Sequence, residues 1–235
     1  MARATAGWEK TLTFGRLAAL GALAGLAACA DHSIVNKRPV SSASRSSRPP
    51  AMPNSRAFRL CTARLDAAKV RFTPLPNQDK GGGCAIIDAI KLLDIGTPTA
   101  NLGAMTCPLA STFAGWVQYG VRPAARLYLG SEVVRIDTFG TYACRDVRGS
   151  GGTVAGKRSE HARANAVDVA AFVLADGRRI SLLNDWRMTG PTSQFLRRIR
   201  ESACKRFPTV LSPDYNAAHR DHFHLDMSGK GGYCR

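Results

Sequence analysis

The stretch Ala166-Val-Asp-Val-Ala-Ala-Phe-Val-Leu174, continued by Ala-Asp176-Gly177-Arg and then Arg179-Ile-Ser-Leu-Leu183, decides the fold. Two runs rich in Val, Ile, Phe and Leu are separated by Asp176-Gly177, a pair that readily takes the positive φ of a tight turn. Residues 166–174 and 179–183 are therefore predicted to pair as a β-hairpin. Working outward, residues 133–138 read as a further strand and 223–227 as the final one. Residues 110–119 and 123–129 carry helical patterns, and Pro191 opens a third helix in which Phe195, Leu196, Ile199, Ala203 and Phe207 share a face. The Gly-rich, basic residues 146–158 read as a loop. Strands joined by a hairpin and interrupted by helices, without βαβ alternation, predict an α+β domain with flanking helices on an antiparallel sheet core.

Asp168 is the odd residue in its strand. A carboxylate inside an apolar run needs a partner, because an uncompensated buried charge costs several kcal/mol. One of the chain's many arginines or a metal ion would serve. The segment His219-Arg-Asp-His-Phe-His-Leu-Asp226 holds three of the five histidines, and on a strand His222 and His224 project from the same face. His161 lies seven residues before Asp168, so four of five histidines fall in two segments flanking strands. Imidazole and carboxylate are the ligand types of a catalytic zinc, which takes three protein ligands and keeps a fourth position open. Asp221 falls at odd spacing from His224, which in a regular strand turns it to the opposite side and ranks it below His222.

The start of the chain describes its compartment. Arg3, Lys10 and Arg16 flank an apolar run over 17–28, long enough for a signal-peptide core and too short to span a bilayer. Its end, Leu26-Ala27-Ala28-Cys29, resembles the bacterial lipobox. That resemblance implies cleavage after residue 28, lipidation of Cys29 and a membrane anchor, and Ala30 in place of aspartate leans toward the outer membrane. Residues 29–57 are a Ser/Pro/Arg tether, and a domain is expected over 58–235. Without Cys29, six cysteines remain, with no Cys-x-x-Cys pair. Disulfides are expected rather than a zinc–thiolate cluster, and a nearest-neighbour scheme would join Cys61 to Cys84, Cys107 to Cys144 and Cys204 to Cys234.

Net charge is +16. Behind an export signal, such a field suits anionic envelope polymers and lipid headgroups, and no helix-turn-helix, zinc-finger or RNA-binding signature argues for nucleic acid. There is no Gly-x-Ser-x-Gly elbow for a serine nucleophile, and paired cysteines exclude a thiol nucleophile. Trp186 reads as a core aromatic before a sugar platform.

Ser159-Glu-His-Ala-Arg-Ala-Asn-Ala-Val-Asp168 resembles the Ser-x-His-x-x-Gly-x-Ala-x-Asp motif of zinc D-Ala-D-Ala peptidases. The run His219-Arg-Asp-His-Phe-His224 resembles the His-x-x-His-x-His element of that wider group, which includes lysostaphin-like endopeptidases. From about Cys61 to Cys234 the chain resembles the bacterial extensin-like C-terminal domain, through TYACR, SEHARANAVDVAAF, DGRRISLLNDW, FLRRIRESACKRF and PDYNAAHRDHFHLD. The resemblance implies His161, Asp168 and His224 as ligands of Zn2+, His222 as general base, and His219 and Arg145 as groups that steady the substrate or its oxyanion. Ser159 would support the site by a hydrogen bond. The implied function is zinc-dependent hydrolysis of peptidoglycan peptides at the periplasmic face of the envelope. One departure stands out: Ala164 replaces the motif glycine, which could narrow the site or strain the backbone. The alternative is a peptidoglycan-binding or scaffolding lipoprotein that keeps the metal site without catalysis. Oligomeric state has no signature in the sequence.

Overall fold

The computed structural model describes residues 50–149 and 151–235. The expected signal segment, Cys29 and the tether as far as residue 49 lie outside the described residues. Helix α1 (Arg56–Ala67) starts at Ser55, whose Oγ accepts the Phe58 amide, and it buries Phe58 and Leu65. Six short strands follow: β1 (Arg71–Pro74), β2 (Gln78–Gly81), β3 (Cys84–Ile86), β4 (Ala89–Asp94), β5 (Thr99–Ala100) and β6 (Ala104–Thr106). Strands β1, β4 and β6 make a small antiparallel sheet, and β2 pairs with β3.

Helices α2 (Cys107–Trp116) and α3 (Arg122–Leu129) are joined by a π-helical turn, Val117–Val121. Pro123 stands at the start of α3, where its missing N–H interrupts the α-helical ladder least. Then come β7 (Val133–Gly140), β8 (Asp146–Gly149), β9 (Gly152–Arg158), β10 (Ala166–Leu174) and β11 (Arg179–Ser181). The chain closes with α4 (Leu182–Asp185), α5 (Pro191–Cys204), β12 (Thr209–Leu211), β13 (Phe223–Asp226) and β14 (Tyr233–Cys234). The protein is thus a mixed α+β fold. Its main sheet runs β14-β12-β13-β10-β7-β5, with β11 also on β10. All pairings in it are antiparallel except the two-residue contacts β5–β7 and β12–β14.

Period-two geometry gives the central strands one apolar face and one polar face. Val167 and Val169 of β10, with Phe223 and Leu225 of β13, enter the core; Asp168, paired across the strands with His224, takes the other side. Against β7, β10 shifts register at Asp168/Val169 and again at Val169/Ala171, after which Phe172 and Leu174 belong to the core. Such irregularities re-aim side chains. This one keeps the apolar face continuous while Asp168 is turned away from it. On the core side Phe195, Leu196, Ile199 and Ala203 of α5 are buried, and the Trp116 indole donates to the Ile199 carbonyl at 3.0 Å. Trp186 is buried, donates to Asp214 at 2.7 Å and packs edge-on against Phe223, so it belongs to the core.

The structure corrects several expectations. Residues 146–158 form the β8–β9 hairpin instead of a loop, since their glycines permit the turn without breaking the flanking pairs. Strand β11 stops at Ser181, whose Oγ accepts the Asn184 amide and starts a helical turn at Leu182. Strand β13 is followed by β14, so it is not the last. The disulfides join Cys61 to Cys107, Cys84 to Cys144 and Cys204 to Cys234, so nearest-neighbour pairing holds only for the third. The first two follow space instead of sequence, α1 packing on α2, and β3 lying near the segment after β7. Three disulfides suit an oxidising, extracytoplasmic compartment. Among the described residues no helix is long and apolar enough to cross a membrane.

Candidate metal centre

The polar face of β10 and β13 opens into a cavity of about 580 Å3, lined by His161, Asp168, His219, His222 and His224 with Arg145 among others. His161 rides on a 3-10 turn, Glu160–Arg163, that leads into β10. The turn is capped by the buried Ser159, whose Oγ accepts the His161 amide at 3.4 Å. Asp168 and His224 face each other across the β10–β13 ladder.

Three atoms converge. His161 Nε2 lies 3.1 Å from His224 Nδ1 and 3.1 Å from Asp168 Oδ1, and His224 Nδ1 lies 2.9 Å from Asp168 Oδ1. The far nitrogens are engaged: His161 Nδ1 lies 3.1 Å from the Thr141 carbonyl, and His224 Nε2 lies 3.0 Å from Asp226 Oδ2. When each far nitrogen carries the proton and donates it, a lone pair on each ring points at the carboxylate oxygen. Ligating histidines are held in this manner in metal sites. A tetrahedral zinc with bonds of about 2.0 to 2.1 Å requires ligand atoms about 3.3 Å apart, so the triangle fits after an opening of a few tenths of an ångström. All three residues are buried, and their donor set of two imidazoles and one carboxylate suits zinc.

His222 and His219 sit beside the triangle. His222 Nε2 is 3.6 Å from Asp168 Oδ1, and its Nδ1 is 2.8 Å from Asp221 Oδ1. His219 Nδ1 is 2.7 Å from Asn216 Oδ1, which also accepts the Ala218 amide at 3.0 Å. An oxygen already serving as acceptor fixes His219 as the donor at Nδ1, leaving Nε2 as a free acceptor in the neutral ring. The rings of His219 and His222 are 5.2 Å apart. Arg145 is half-buried and lines the cavity, its only side-chain hydrogen bond among the described residues a 3.3 Å contact to the Asp146 carbonyl.

Asp226 and Asn216 were not singled out in the sequence, and Asp221 was weighed there only as a candidate ranked below His222. Asp221 lies in the turn before β13, outside the regular strand, so strand parity does not apply and it reaches His222. Asp226, two residues after His224 on the same face, was readable from the spacing. Asn216 carries no pattern that distinguishes it from a loop residue.

Ala164 ends the 3-10 turn in the left-handed conformation, φ 54° and ψ 29°, and is fully buried against Ile86 and Ala89. The cavity wall does not include it. Its backbone is strained, as expected from the glycine motif, but the cavity is not narrowed. Ala164→Gly is expected to change stability by less than about 1 kcal/mol, relief of the left-handed conformation being offset by a freer unfolded chain and a lost buried methyl. Calorimetric melting with and without zinc checks this, and zinc affinity is expected to stay constant.

Electrostatics tie the cluster together. Burial opposes the charge on Asp168, yet hydrogen bonds from His161 and His224 hold its carboxyl well below the usual range. Burial likewise opposes the His224 imidazolium, but Asp168 and Asp226 outweigh it and its pKa is raised to about 9. His219 is lowered to about 4 by burial and by repulsion from His222 and His224. Burial also lowers Arg145, partly offset by attraction to Asp168.

The signs give a pH profile for the metal-free protein. His219 is depressed, so below its unfolded value near 6.5 the unfolded chain takes up a proton that the native state refuses, and stability falls toward pH 4. His224 is raised, so its contribution is complete below about 6.5 and is lost as pH rises through about 9. Chemical denaturation across pH is expected to show these opposing slopes. Zinc is expected to abolish the alkaline loss, since a ligating Nδ1 carries no proton.

The family described as Extensin-like protein C-terminus matches residues 59–235. No curated protein and no solved structure matches the chain.

Proposed function

We propose, on the premise that the chain belongs to the extensin-like protein C-terminus family, that it is a zinc-dependent hydrolase of peptidoglycan peptide bonds held at the bacterial envelope. The observation that carries this reading is the triangle of His161 Nε2, Asp168 Oδ1 and His224 Nδ1 with the free nitrogen of His222 beside it. The Ser-x-His and His-x-x-His-x-His elements, similar to those of zinc D-Ala-D-Ala peptidases, supply its members. Zinc bound there would polarise the scissile carbonyl and lower the pKa of water from 15.7 to about 7.

The protein's own residues do the rest. His222 Nε2 takes the proton of the attacking water, and Asp221, 2.8 Å from Nδ1, orients the ring and stabilises the imidazolium. The same nitrogen then returns the proton to the departing amine. Arg145 meets the oxyanion as a charged donor. His219, neutral and donating at Nδ1 to Asn216, offers an acceptor at Nε2 and so serves better to hold a substrate N–H than to donate to the oxyanion. Asp221→Asn is expected to lower turnover about 10- to 100-fold with zinc content unchanged, as loss of an orienting partner does elsewhere; steady-state rates and metal analysis check it.

Lipidation at Cys29 and a tether of about 27 residues, spanning on the order of 30 Å as a random coil, would let the domain reach the wall from the membrane. The non-catalytic alternative rests on Ala164 and the high basic charge; Ala164 lines none of the cavity, and the charge favours either reading. Mass spectrometry of purified peptidoglycan incubated with the zinc-loaded protein tests the proposal. New peptide fragments that disappear with a chelator support it and name the bond; unchanged peptidoglycan from folded, zinc-loaded protein refutes hydrolysis.

A further inference from the structure

The charges of the cavity are divided between its walls. Every lining carboxylate already has a partner: Asp168 and Asp226 with the ligand histidines, Asp221 with His222, and Glu160 with Arg163 at 3.0 Å and Asn165 at 2.7 Å. The other wall is the β8–β9 hairpin with Arg145 at its base, bringing Arg145, Arg148, Lys157 and Arg158 to the cavity. Arg158 is neutralised by Asp146 at 2.8 Å and also bonds to the Gly82 carbonyl. Among the described residues, the side chains of Arg148 and Lys157 have no hydrogen-bond or carboxylate partner, and Arg145 has only a backbone carbonyl.

The hairpin contributes little to the fold. It is a separate two-stranded sheet, and β9 is exposed along all but its last residue. An isolated hairpin of this size is marginal in water, so its anchoring at the base by Arg158 matters, and it buries no core side chain. Two unneutralised cations on an element that the core does not need, with Arg145 at its base, all lining one cavity, require an explanation in terms of what enters that cavity. Arg148 is also near enough to repel the charge of the half-buried Arg145. An anion between them would relieve that repulsion and replace the hydration lost by Arg145.

We infer that the β8–β9 hairpin is an anion-reading arm, selecting acidic peptides whose carboxylates lie on the arm's side of the cleaved bond, with Arg148 and Lys157 as specificity residues outside the reacting centre. This rests on the hydrolase reading for its site and adds the substrate class. An exposed ion pair contributes up to about 1 kcal/mol, or about fivefold, so loss of both outer cations is expected to weaken an acidic peptide about tenfold and a neutral one not at all.

The test is calorimetric titration of the zinc-loaded full chain carrying His222→Ala, which on the proposed mechanism leaves the peptide intact. The probes are acetyl-D-Glu-D-Ala-D-Ala and its neutral counterpart, acetyl-D-Gln-D-Ala-D-Ala amide. The acid is expected to bind more tightly, by a margin that shrinks as salt rises and collapses in the Arg148→Ala/Lys157→Ala variant. Equal binding of the two peptides, including none of either, overturns the inference, as does an equal loss on both in the double variant. Preference for the acid with no cleavage of peptidoglycan by the unsubstituted protein would leave the arm standing and remove the hydrolase. Cleavage without that preference would do the reverse.

Discussion

His224→Ala is expected to abolish zinc binding and turnover together. The substitution removes one corner of a triangle whose edges are 2.9 to 3.1 Å, and it also leaves Asp168 and Asp226 without their shared imidazole. Loss of an orienting group costs about 10- to 100-fold in metal affinity, and loss of a direct ligand is expected to cost more. Asp168 keeps His161 at 3.1 Å and Asp226 keeps the amide and hydroxyl of Ser228, so the metal-free fold is expected to lose stability, by less than the about 3 to 5 kcal/mol of a fully broken buried pair. Equilibrium dialysis and thermal melting read the two effects separately. His224→Gln, which retains polarity, is expected to recover part of the stability and none of the zinc affinity.

His222→Ala is expected to separate the two properties. Its Nε2 lies 3.6 Å from Asp168 Oδ1, beside the triangle and outside it, and its ring is held by Asp221 from the turn. Removing it leaves all three ligand atoms and their outer partners in place, so bound zinc should remain stoichiometric. Turnover should fall about 100- to 10,000-fold, the contribution of a positioned general base. Metal analysis and product release on the same preparation check this. Retained metal-dependent activity in both alanine variants would remove both assignments.

The contrast between these variants follows from what strand periodicity encodes. In β13, Phe223 and Leu225 belong to the core while His224 and Asp226 take the other face, and the alternating letters state this directly. The same logic makes Asp168 conspicuous in β10. It does not extend to Asp221, which lies in the turn before the strand, where parity does not govern and the carboxylate reaches His222. The β8–β9 hairpin was hidden because it lacks an apolar face: glycines and cations resemble a loop when no core burial enforces the strand pattern. Disulfide partners were equally hidden, since Cys61–Cys107 and Cys84–Cys144 depend on which elements pack together, a property of the whole fold. The small sheet of β1, β4 and β6 was not read, β1 and β6 having four and three residues and Ala89–Asp94 of β4 lacking strict alternation.

Cys84–Cys144 has a place in the account of the site. Cys144 precedes Arg145, and the same segment supplies the Thr141 carbonyl to His161 and the Ala143 amide to the His161 carbonyl at 3.1 Å. One covalent staple therefore steadies both the orientation of a ligand histidine and the position of the half-buried arginine. The support of a proposed ligand and the proposed substrate-contacting arginine meet in five residues, 141–145, between β7 and β8.

X-ray absorption at the zinc edge on the stoichiometrically loaded protein would read the proposed ligand set atom by atom. One zinc per chain is expected, with two imidazole nitrogens at about 2.0 to 2.1 Å, a carboxylate oxygen at about 2.0 to 2.2 Å and a fourth, exchangeable oxygen, a pattern that disappears in His224→Ala. A spectrum with sulfur neighbours, or one unchanged by that substitution, would place the metal elsewhere and rule out His161, Asp168 and His224 as its ligands.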